Sequence, residues 1–368
     1  MPRAFDVSDG GRDTPAIDAS DAGGDGSGSG SGSGSATSPA RRKPTVIEKA
    51  KVGGPVDDFP VWIDLTDTQI AAAARPDGHD IYFTDSQGAA LPHQIESWAS
   101  GRLLAWVRVP HLDPMTTVTI YIGYGDDLRA VTQDPASVFS TYAAVWHLDD
   151  SLAASAITDA TGTHPGTATG LAPAAQGPAQ LGGGVTFNGS GTQKISFTSP
   201  LTGNSPHTIS AWVKQGSTTN HSAIVTIGTN ASNQARFLYG NYLNSATLGL
   251  GQYNDDWVPA GHDLRGAGWK LVHWTYEGGS KKSHVFVDGQ EIVGSPHTMS
   301  AVAATPASTG TIGYAPEPDF GNPTGMLGTL DEVRISTTTR TPGWIATEFA
   351  NQNAPAMLYA VGAEEPAP

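Results

Sequence analysis

The chain has 368 residues, a formal net charge of −15 at pH 7, 45 glycines, 26 prolines and no cysteine. This composition favours short strands joined by tight turns, and the lack of cysteine excludes disulfides and thiolate metal sites. Because the chain is acidic and carries no basic stripe, we expect no nucleic-acid partner, and no apolar run reaches the ~18 residues that indicate membrane insertion.

Residues 1–45 are predicted to be a disordered, acidic, Gly/Ser-rich linker. The segment has almost no large apolar side chains and contains a Gly-Ser repeat. Such a sequence cannot bury enough surface to offset the entropy of ordering it. It is interpreted as a flexible tether or an inert tail, with the basic cluster at 40–44 as a solvated hinge.

Residues 46–135 predict a small antiparallel β-sandwich. After the first strand, residues 66–75 predict a short helix with Thr66 or Asp67 as its N-cap. Strand patterns with alternating apolar residues, separated by turn residues, lie in 59–65, 80–98, 103–110 and 116–125. The segment 80–98 is expected to form strand, turn and strand.

The motifs of this segment resemble a bacterial domain of unknown function over roughly residues 50–130. They are "DDFPVWIDLTD", "DGHDIYFTDSQGAALPHQIESW" and "LLAWVRVPHLDPMTTVTIYIGYGD". That domain recurs in large surface proteins, often beside laminin-G-like modules, and in fusions with proton-channel subunits of the biopolymer-transport type. The resemblance implies a β-sandwich and brings no known activity with it.

Residues 138–337 carry many short strand signals and predict a two-sheet jelly roll. The clearest hairpin lies at 283–293, where Asp288 and Gly289 suit a turn with positive φ. The motifs follow the order "WHLDD", "DATGTHPG", "VTFNGSG", "HTISAWVK", "WKLVHWTYEGG", "VFVDGQEI" and "GTLDEVRIS". Over roughly 140–337 this order resembles the laminin-G-like, concanavalin A-like lectin/glucanase superfamily, whose fold hosts lectins, glycosidases, adhesion modules and spacers. The chain is therefore expected to be all-β, with two β-sandwich domains.

Residues 338–368 predict a short helix followed by a strand. Thr341 and Pro342 suit the N-cap and first helical positions. The final strand, "AMLYAV", is expected to return to the sheet of the first domain.

Motifs for enzyme chemistry are missing from the sequence. Glucanases of the resembled superfamily usually carry Glu-x-Asp-x-x-Glu on one strand, and this pattern does not occur here. No Gly-x-Ser-x-Gly, His-Glu-x-x-His or phosphate-binding Gly-Lys-Ser/Thr motif occurs either. The sequence predicts a protein that is not an enzyme, and a divergent glycosidase is the less favoured alternative.

The segment "GTLDEVRIS" at 328–336 holds three charged residues within a strand pattern. Regular alternation places Asp331 on the apolar face with Val333, while Glu332 and Arg334 pair on the opposite face. The three charges are then not one cluster. Burial of Asp331 would require backbone N–H donors or a cation.

A structural calcium ion is implied by the laminin-G-like resemblance. In such relatives, the turn after the first strand lies near the aspartate of the last Asp-Glu-Val strand, and some bind Ca²⁺ there. By resemblance, the candidate ligands are Asp150, Asp159, His164 with its neighbouring backbone, and Asp331. The alternative is that these aspartates cap turns and accept backbone N–H bonds.

Sugar recognition normally combines aromatic faces with amides and carboxylates. Residues 237–263 mix these types and predict a ligand-binding loop, although the same composition suits an ordinary sheet edge. The candidates are Tyr239, Tyr242, Asn254, Asp255 and Trp257. Three other tryptophans in strand patterns are predicted core residues: Trp146, Trp212 and Trp274.

These features together predict a non-catalytic, bacterial, extracellular or cell-surface module that binds a glycan or another surface molecule, such as a surface protein. Its leader peptide is expected not to be present in this chain. The alternative is a structural subunit of an envelope or filament assembly, which would self-associate rather than bind a small ligand.

Overall fold

A computed structural model describes residues 40–126, 129, 133–229, 231–252, 255–302, 309–316 and 324–368. The predicted linker up to residue 39 and the candidate Asn254 lie outside the described residues. The described part of the chain, with both β-domains, belongs to one compact unit. Within it, no helix is long and apolar enough to cross a membrane.

The strands are numbered along the chain. They are β1 Arg41–Ile47, β2 Val56–Thr66, β3 Tyr82–Thr84, β4 His93–Ala99, β5 Arg102–Leu112, β6 Val118–Tyr124, β7 Ala144–Trp146, β8 Ala156–Ile157, β9 Gly166–Thr169, β10 Gln176–Pro178, β11 Gly183–Asn188, β12 Lys194–Thr198, β13 His207–Gln215, β14 Ser222–Gly228, β15 Ala235–Asn241, β16 Gly249–Gly251, β17 Trp269–Tyr276, β18 Lys282–Val287, β19 Gln290–Glu291, β20 His297–Thr298, β21 Thr309–Ile312, β22 Leu327–Ser336, β23 Tyr359–Val361 and β24 Glu365–Pro366.

The helices are short except for the third. They are α1 Thr68–Ala73, α2 Pro135–Val138, α3 Pro342–Asn353 and α4 Pro355–Leu358, with 3₁₀ helices at Lys49–Lys51 and Pro173–Ala175. The predicted caps are present. The Asp67 side chain accepts N–H bonds at the start of α1, and Thr341 accepts the Trp344 N–H at the start of α3.

The first domain consists of two antiparallel sheets. One has the order β23-β1-β6-β3, with β24 also paired to β1, and the other has the order β2-β5-β4. The final strands of the chain therefore complete the sheet in which β1 lies. Strands β3 and β4 do not pair with each other, because β3 pairs with β6 and β4 with β5.

The basic cluster at 40–44 is part of this sheet, so its interpretation as a solvated hinge is wrong. Strand β1 begins at Arg41, before the boundary expected at residue 45. The Arg42 Nε donates to Glu365 Oε1 at 2.6 Å, and Lys43 Nζ donates to Asp67 Oδ2 at 2.5 Å. The acidic partners come from distant parts of the sequence, so the local composition of residues 40–44 does not indicate these ion pairs.

The second domain is a sandwich of two larger antiparallel sheets, as expected. One sheet has the order β10-β11-β22-β13-β17-β18-β19, with β7 beside β22 and β20 beside β18. The other has the order β16-β15-β14-β21-β12-β9-β8. Trp146 and Trp274 are buried in the core between them. At the turn between β18 and β19, Asp288 and Gly289 have φ values of 51° and 78°, as the hairpin prediction requires.

Helix α3 joins the two domains. The strand β2 lies at an edge of its sheet, and the Asn351 side chain accepts the Trp62 N–H at 2.6 Å and donates to the Trp62 carbonyl at 3.0 Å. On the side of the second domain, Gln352 Oε1 accepts the Trp212 indole N–H at 2.7 Å. The helix therefore covers an otherwise unpaired strand edge and fixes both domains to one element.

Replacement of Asn351 by alanine should destabilise the whole described unit. The substitution leaves a buried backbone N–H and C=O of Trp62 without partners, and each such group costs about 1–3 kcal/mol. We expect a loss of about 2–4 kcal/mol in the free energy of unfolding, measured by urea denaturation, with both domains still unfolding in one transition. The control is Asn353→Ala on the exposed side of the same helix, which should change stability by less than about 0.5 kcal/mol. Equal effects of the two substitutions would contradict this role of Asn351.

Candidate functional site

A β-bulge in strand β22 directs three charged side chains toward the first domain. The pairing of β13 with β22 shifts register between Ser210 and Trp212, and Glu332 has a φ of 51°. One extra residue in β22 reverses the alternation of side chains beyond it. Asp331 pairs with Trp212 on the junction side, whereas Leu330 and Val333 both pack in the core of the second domain.

The predicted position of Asp331 beside Val333 on one face is therefore wrong. Its physical cause is the bulge, since alternation holds only for a regular strand. Asp331, Glu332 and Arg334 are at most 1% exposed and lie on the junction side of the strand. Glu332 and Arg334 therefore belong to one buried cluster, and Asp331 lies next to it in the chain.

We call this cluster the junction network and define it as Glu96, His147, Glu332, Arg334 and Glu348. Arg334 donates from Nη2 to Glu332 Oε2 at 2.7 Å and from Nη1 to Glu348 Oε1 at 3.0 Å. Its guanidinium also lies 4.3 Å from the Trp106 ring centroid. Burial lowers the pKa of Arg334, but the neighbouring carboxylates outweigh this effect and raise it above the usual value.

Glu348, on helix α3, connects the junction network to a second histidine, His273. Its Oε2 lies 2.9 Å from His273 Nε2. Burial raises the pKa of Glu348, but the His273 hydrogen bond and the charges of His273, Arg334 and Arg340 bring it down to about 2. Glu348 is therefore ionised at neutral pH and holds α3 against the second domain.

His147 connects the two domains directly. Its Nδ1 lies 2.6 Å from Glu332 Oε1 and 3.2 Å from Glu96 Oε1, and its Nε2 lies 3.2 Å from Gln94 Oε1. Glu96 Oε1 also accepts the Trp106 indole N–H at 2.6 Å. Glu96 and Gln94 belong to strand β4 of the first domain, whereas His147 follows β7 of the second.

The charges in this group shift one another's ionisation. Burial lowers the pKa of His147, but the charges of Glu332 and Glu96 raise it to about 9. Burial raises the pKa of Glu96 to about 7. The charge of His147 lowers this pKa, and the charge of Glu332 raises it. Burial and the Glu332 charge raise the pKa of Asp331 well above its usual value, and its Oδ2 accepts the Leu181 N–H at 2.7 Å.

A pocket of about 390 Å³, which we call the junction pocket, opens beside this cluster. Its polar lining comes from Glu96, Ser97, Asp149 and Gln176, and its apolar lining includes Leu104 and Pro178. Both domains therefore contribute walls.

Glycines keep the junction pocket open. A Cβ at Gly183 would lie 2.9 Å from Gln176 Nε2 and 3.0 Å from Asp149 Cβ. Gly182 has a φ of 68°, and a Cβ there would lie 3.1 Å from Glu96 Oε2. Larger residues would crowd the polar walls, so the backbone of this loop faces the pocket directly.

The four candidate calcium ligands do not converge on one site. Asp159 accepts N–H bonds from Val145, Thr161, Thr163 and His164, so its carboxylate already organises a turn. Among the described residues, the group of three or more ligand side chains with atoms within 4.8 Å of one another is Glu96, His147 and Glu332.

Protein groups also occupy the oxygens of the other candidates. Asp150 accepts the N–H and hydroxyl of Thr158 at 2.9 and 2.7 Å, and the His164 carbonyl accepts the Trp146 indole N–H at 3.0 Å. Asp331 faces the junction instead. The available donors do not fit the implied calcium site, because most of their oxygens already accept protein N–H or O–H groups.

One described candidate of the predicted sugar loop lies in the core, and Tyr242, Asp255 and Trp257 are partly buried. Tyr239 is fully buried and packs near Phe237 and Tyr242, so it is a core residue and cannot present its ring to a ligand. Asp255 accepts the Ser300 N–H. The half-buried Trp257 stacks on His297 with ring centroids 5.2 Å apart. These contacts correspond to the sheet-edge alternative.

Family models match both domains. Residues 187–346 match the model described as the Concanavalin A-like lectin/glucanases superfamily. The second domain is a concanavalin A-like domain. Residues 77–150 match the model described as Domain of unknown function (DUF2341), so the two-domain architecture indicated by the motifs is confirmed. Glu96 and His147 lie within the DUF2341 match, and Glu332 lies within the concanavalin A-like match.

Solved structures resemble the chain at low sequence identity. Domain 4 of AbnA, a GH43 extracellular arabinanase from Geobacillus stearothermophilus, is 19% identical with a TM-score of 0.44, covering 57% of this chain and 98% of that one. Trypanosoma rangeli sialidase is 15% identical with a TM-score of 0.45, covering 70% of this chain and 42% of that one. The binding domain of botulinum neurotoxin serotype G is 9% identical with a TM-score of 0.41, covering 56% of this chain and 50% of that one. This chain thus spans no more than half the length of the sialidase and of the neurotoxin domain. A search of curated proteins found no match.

Glu348→Gln should reveal the ionisation of the junction network. Because the folded pKa of about 2 lies below the ~4.3 of an unfolded glutamate, ionisation stabilises the fold fully above about pH 4.3, and this stability is lost as the pH falls toward 2. The variant should be about 3–5 kcal/mol less stable at pH 7, and the gap should narrow between pH 4.3 and pH 3 in chemical unfolding. The exposed control Glu48→Gln should match wild type throughout. A gap that stays constant from pH 7 to pH 3 would contradict the assignment.

Proposed function

We propose that this protein is a non-catalytic carbohydrate-binding module that acts outside the bacterial cell, and that the junction pocket is its ligand site. One observation supports this proposal above the others. Carboxylate, amide and hydroxyl groups from two domains converge on one pocket of about 390 Å³, within the ~300–1,000 Å³ typical of ligand sites. Sugars present rows of hydroxyl groups, which such acceptors and donors can bind.

The individual walls suit a sugar ring. The exposed Asp149 carboxylate can accept bonds from hydroxyls, and the Gln176 side chain, whose Nε2 lies 3.5 Å from the Asp149 carbonyl, can donate or accept. The apolar patch of Leu104 and Pro178 offers a surface for the C–H face of the ring. Backbone groups beside Gly182 and Gly183 add polar contacts that no side chain blocks.

Rigid walls would favour binding. Glu96 lies on the wall of the first domain, and Asp149 lies two residues beyond His147, which is held against Glu332 and Glu96. The pocket therefore does not need to be assembled by the ligand. A preformed site loses less conformational entropy on binding, and this raises affinity.

Glycoside hydrolysis is the second candidate function. It is favoured by one observation, that two carboxylates, Glu96 and Asp149, line the same pocket. Glycosidases use such a pair on either side of the scissile bond. The non-catalytic proposal is preferred because Glu96 Oε1 is held by the Trp106 indole N–H and lies 3.2 Å from His147 Nδ1.

Binding should depend on Asp149 and Gln176. We expect the protein to be retarded in affinity electrophoresis on one or more soluble polysaccharides, with Asp149→Ala and Gln176→Ala each weakening binding about 3- to 10-fold, since one net hydrogen bond is worth about 0.5–1.5 kcal/mol. The control Gln87→Ala, in an exposed turn of the first domain, should bind as wild type.

The same assay separates the alternatives. Loss of binding in Trp257→Ala, with normal binding in both pocket variants, would move the site to the predicted loop. Release of reducing ends by wild type but not by Glu96→Gln would favour the hydrolase. Self-association without retardation on any polysaccharide would contradict the binding proposal and support the structural alternative.

A further inference from the structure

We propose that Glu96, His147 and Glu332 bind one divalent transition-metal ion, of the Mn²⁺ or Zn²⁺ class, beside the junction pocket. The inference does not rest on the ligand proposed for that pocket. It concerns residues contributed by both domains, so the ion would bridge them.

The spacing of the three side chains suits an ion. Their ligand atoms all lie within 4.8 Å of one another, and His147 Nδ1 lies 3.2 Å from Glu96 Oε1 and 2.6 Å from Glu332 Oε1. Nitrogen and oxygen ligands about 2.1 Å from an ion lie roughly 3.0–3.4 Å from each other. The distance from His147 Nδ1 to Glu96 Oε1 is in this range, and Glu332 Oε1 would reach it by moving outward about half an ångström.

Outer hydrogen bonds already orient each ligand. His147 Nε2 faces Gln94 Oε1 at 3.2 Å, and a proton on Nε2 leaves Nδ1 as the atom that faces the two carboxylates. Trp106 Nε1 donates to Glu96, and Arg334 Nη2 donates to Glu332. Metal-binding histidines and carboxylates are typically held by partners of this kind.

An oxygen of Glu96 points independently to a ligand. The Glu96 side chain is 3% exposed, and its Oε2 has no hydrogen-bond partner among the described residues. This oxygen lies beside Gly182 at the wall of the junction pocket. A buried carboxylate oxygen without a partner is costly, and a metal ion or its bound water would satisfy it.

The chemistry of the three ligand side chains indicates the class of ion. Imidazole with carboxylates suits Mn²⁺ or Zn²⁺, whereas Ca²⁺ prefers a set of six to eight oxygens.

The test is metal binding by the intact protein after EDTA treatment and dialysis. Mn²⁺ is titrated by the loss of its free electron paramagnetic resonance signal, and Zn²⁺ by calorimetry. We expect one ion per chain and a higher melting temperature with the ion. His147→Gln and Glu96→Gln should each weaken binding at least 10-fold; the Glu96→Gln variant keeps an oxygen that can accept the Trp106 N–H.

The matched control is His284→Gln. His284 also lies between two carboxylates, 2.7 Å from Glu291 and 3.1 Å from Glu277, but on the surface. This variant should bind the ion as wild type does. Absence of stoichiometric Mn²⁺ and Zn²⁺ binding by wild type, or unchanged binding by Glu96→Gln, would overturn the proposal. In that case His147 is a protonated bridge between two carboxylates. If His147→Gln does not fold, the comparison of Glu96→Gln with His284→Gln decides.

Discussion

The burial of the Glu332–Arg334 ion pair between two β-domains is the constraint on which the rest of this structure depends. An arginine and a glutamate that are each 1% exposed must have their remaining hydrogen bonds satisfied, and here Glu348 and His147 provide them. Breaking a buried pair costs about 3–5 kcal/mol, although such pairs are poor sources of net stability. Their effect is to fix the orientation in which the domains meet, because Glu332 and Arg334 each find a partner outside their own strand, in His147 and Glu348.

Apolar packing and helix α3 reinforce the same junction. The Trp344 ring lies 5.0 Å from Phe59 of the first domain, and the Phe349 ring lies 6.1 Å from Trp212 of the second. One hydrophobic cluster thus includes residues of both domains and of the helix between them. The junction pocket is a consequence of this arrangement, since its walls belong to different domains and cannot exist in either one alone.

Local signals in the sequence were sufficient for the architecture but not for the site. The Asp67 cap and the Asp288-Gly289 turn depend on neighbouring residues and were predicted correctly. The bulge at Glu332 depends on partners in other elements, so alternation failed there. Glu96 is a lone acidic residue in "QIESW", and only the fold brings it to His147. The prediction that Tyr239 binds a ligand is wrong, because composition does not distinguish a buried sheet edge from a binding loop.

The junction network makes the two domains one cooperative unit. Hydrogen exchange of backbone amides in Arg334→Met tests this most directly, with strand β2 reporting on the first domain and strand β13 on the second. Protection should fall by a similar free energy in both strands, because removal of the guanidinium takes from Glu332 and Glu348 the cation that they share between the domains. Loss of protection confined to β13, with β2 unchanged, would contradict it.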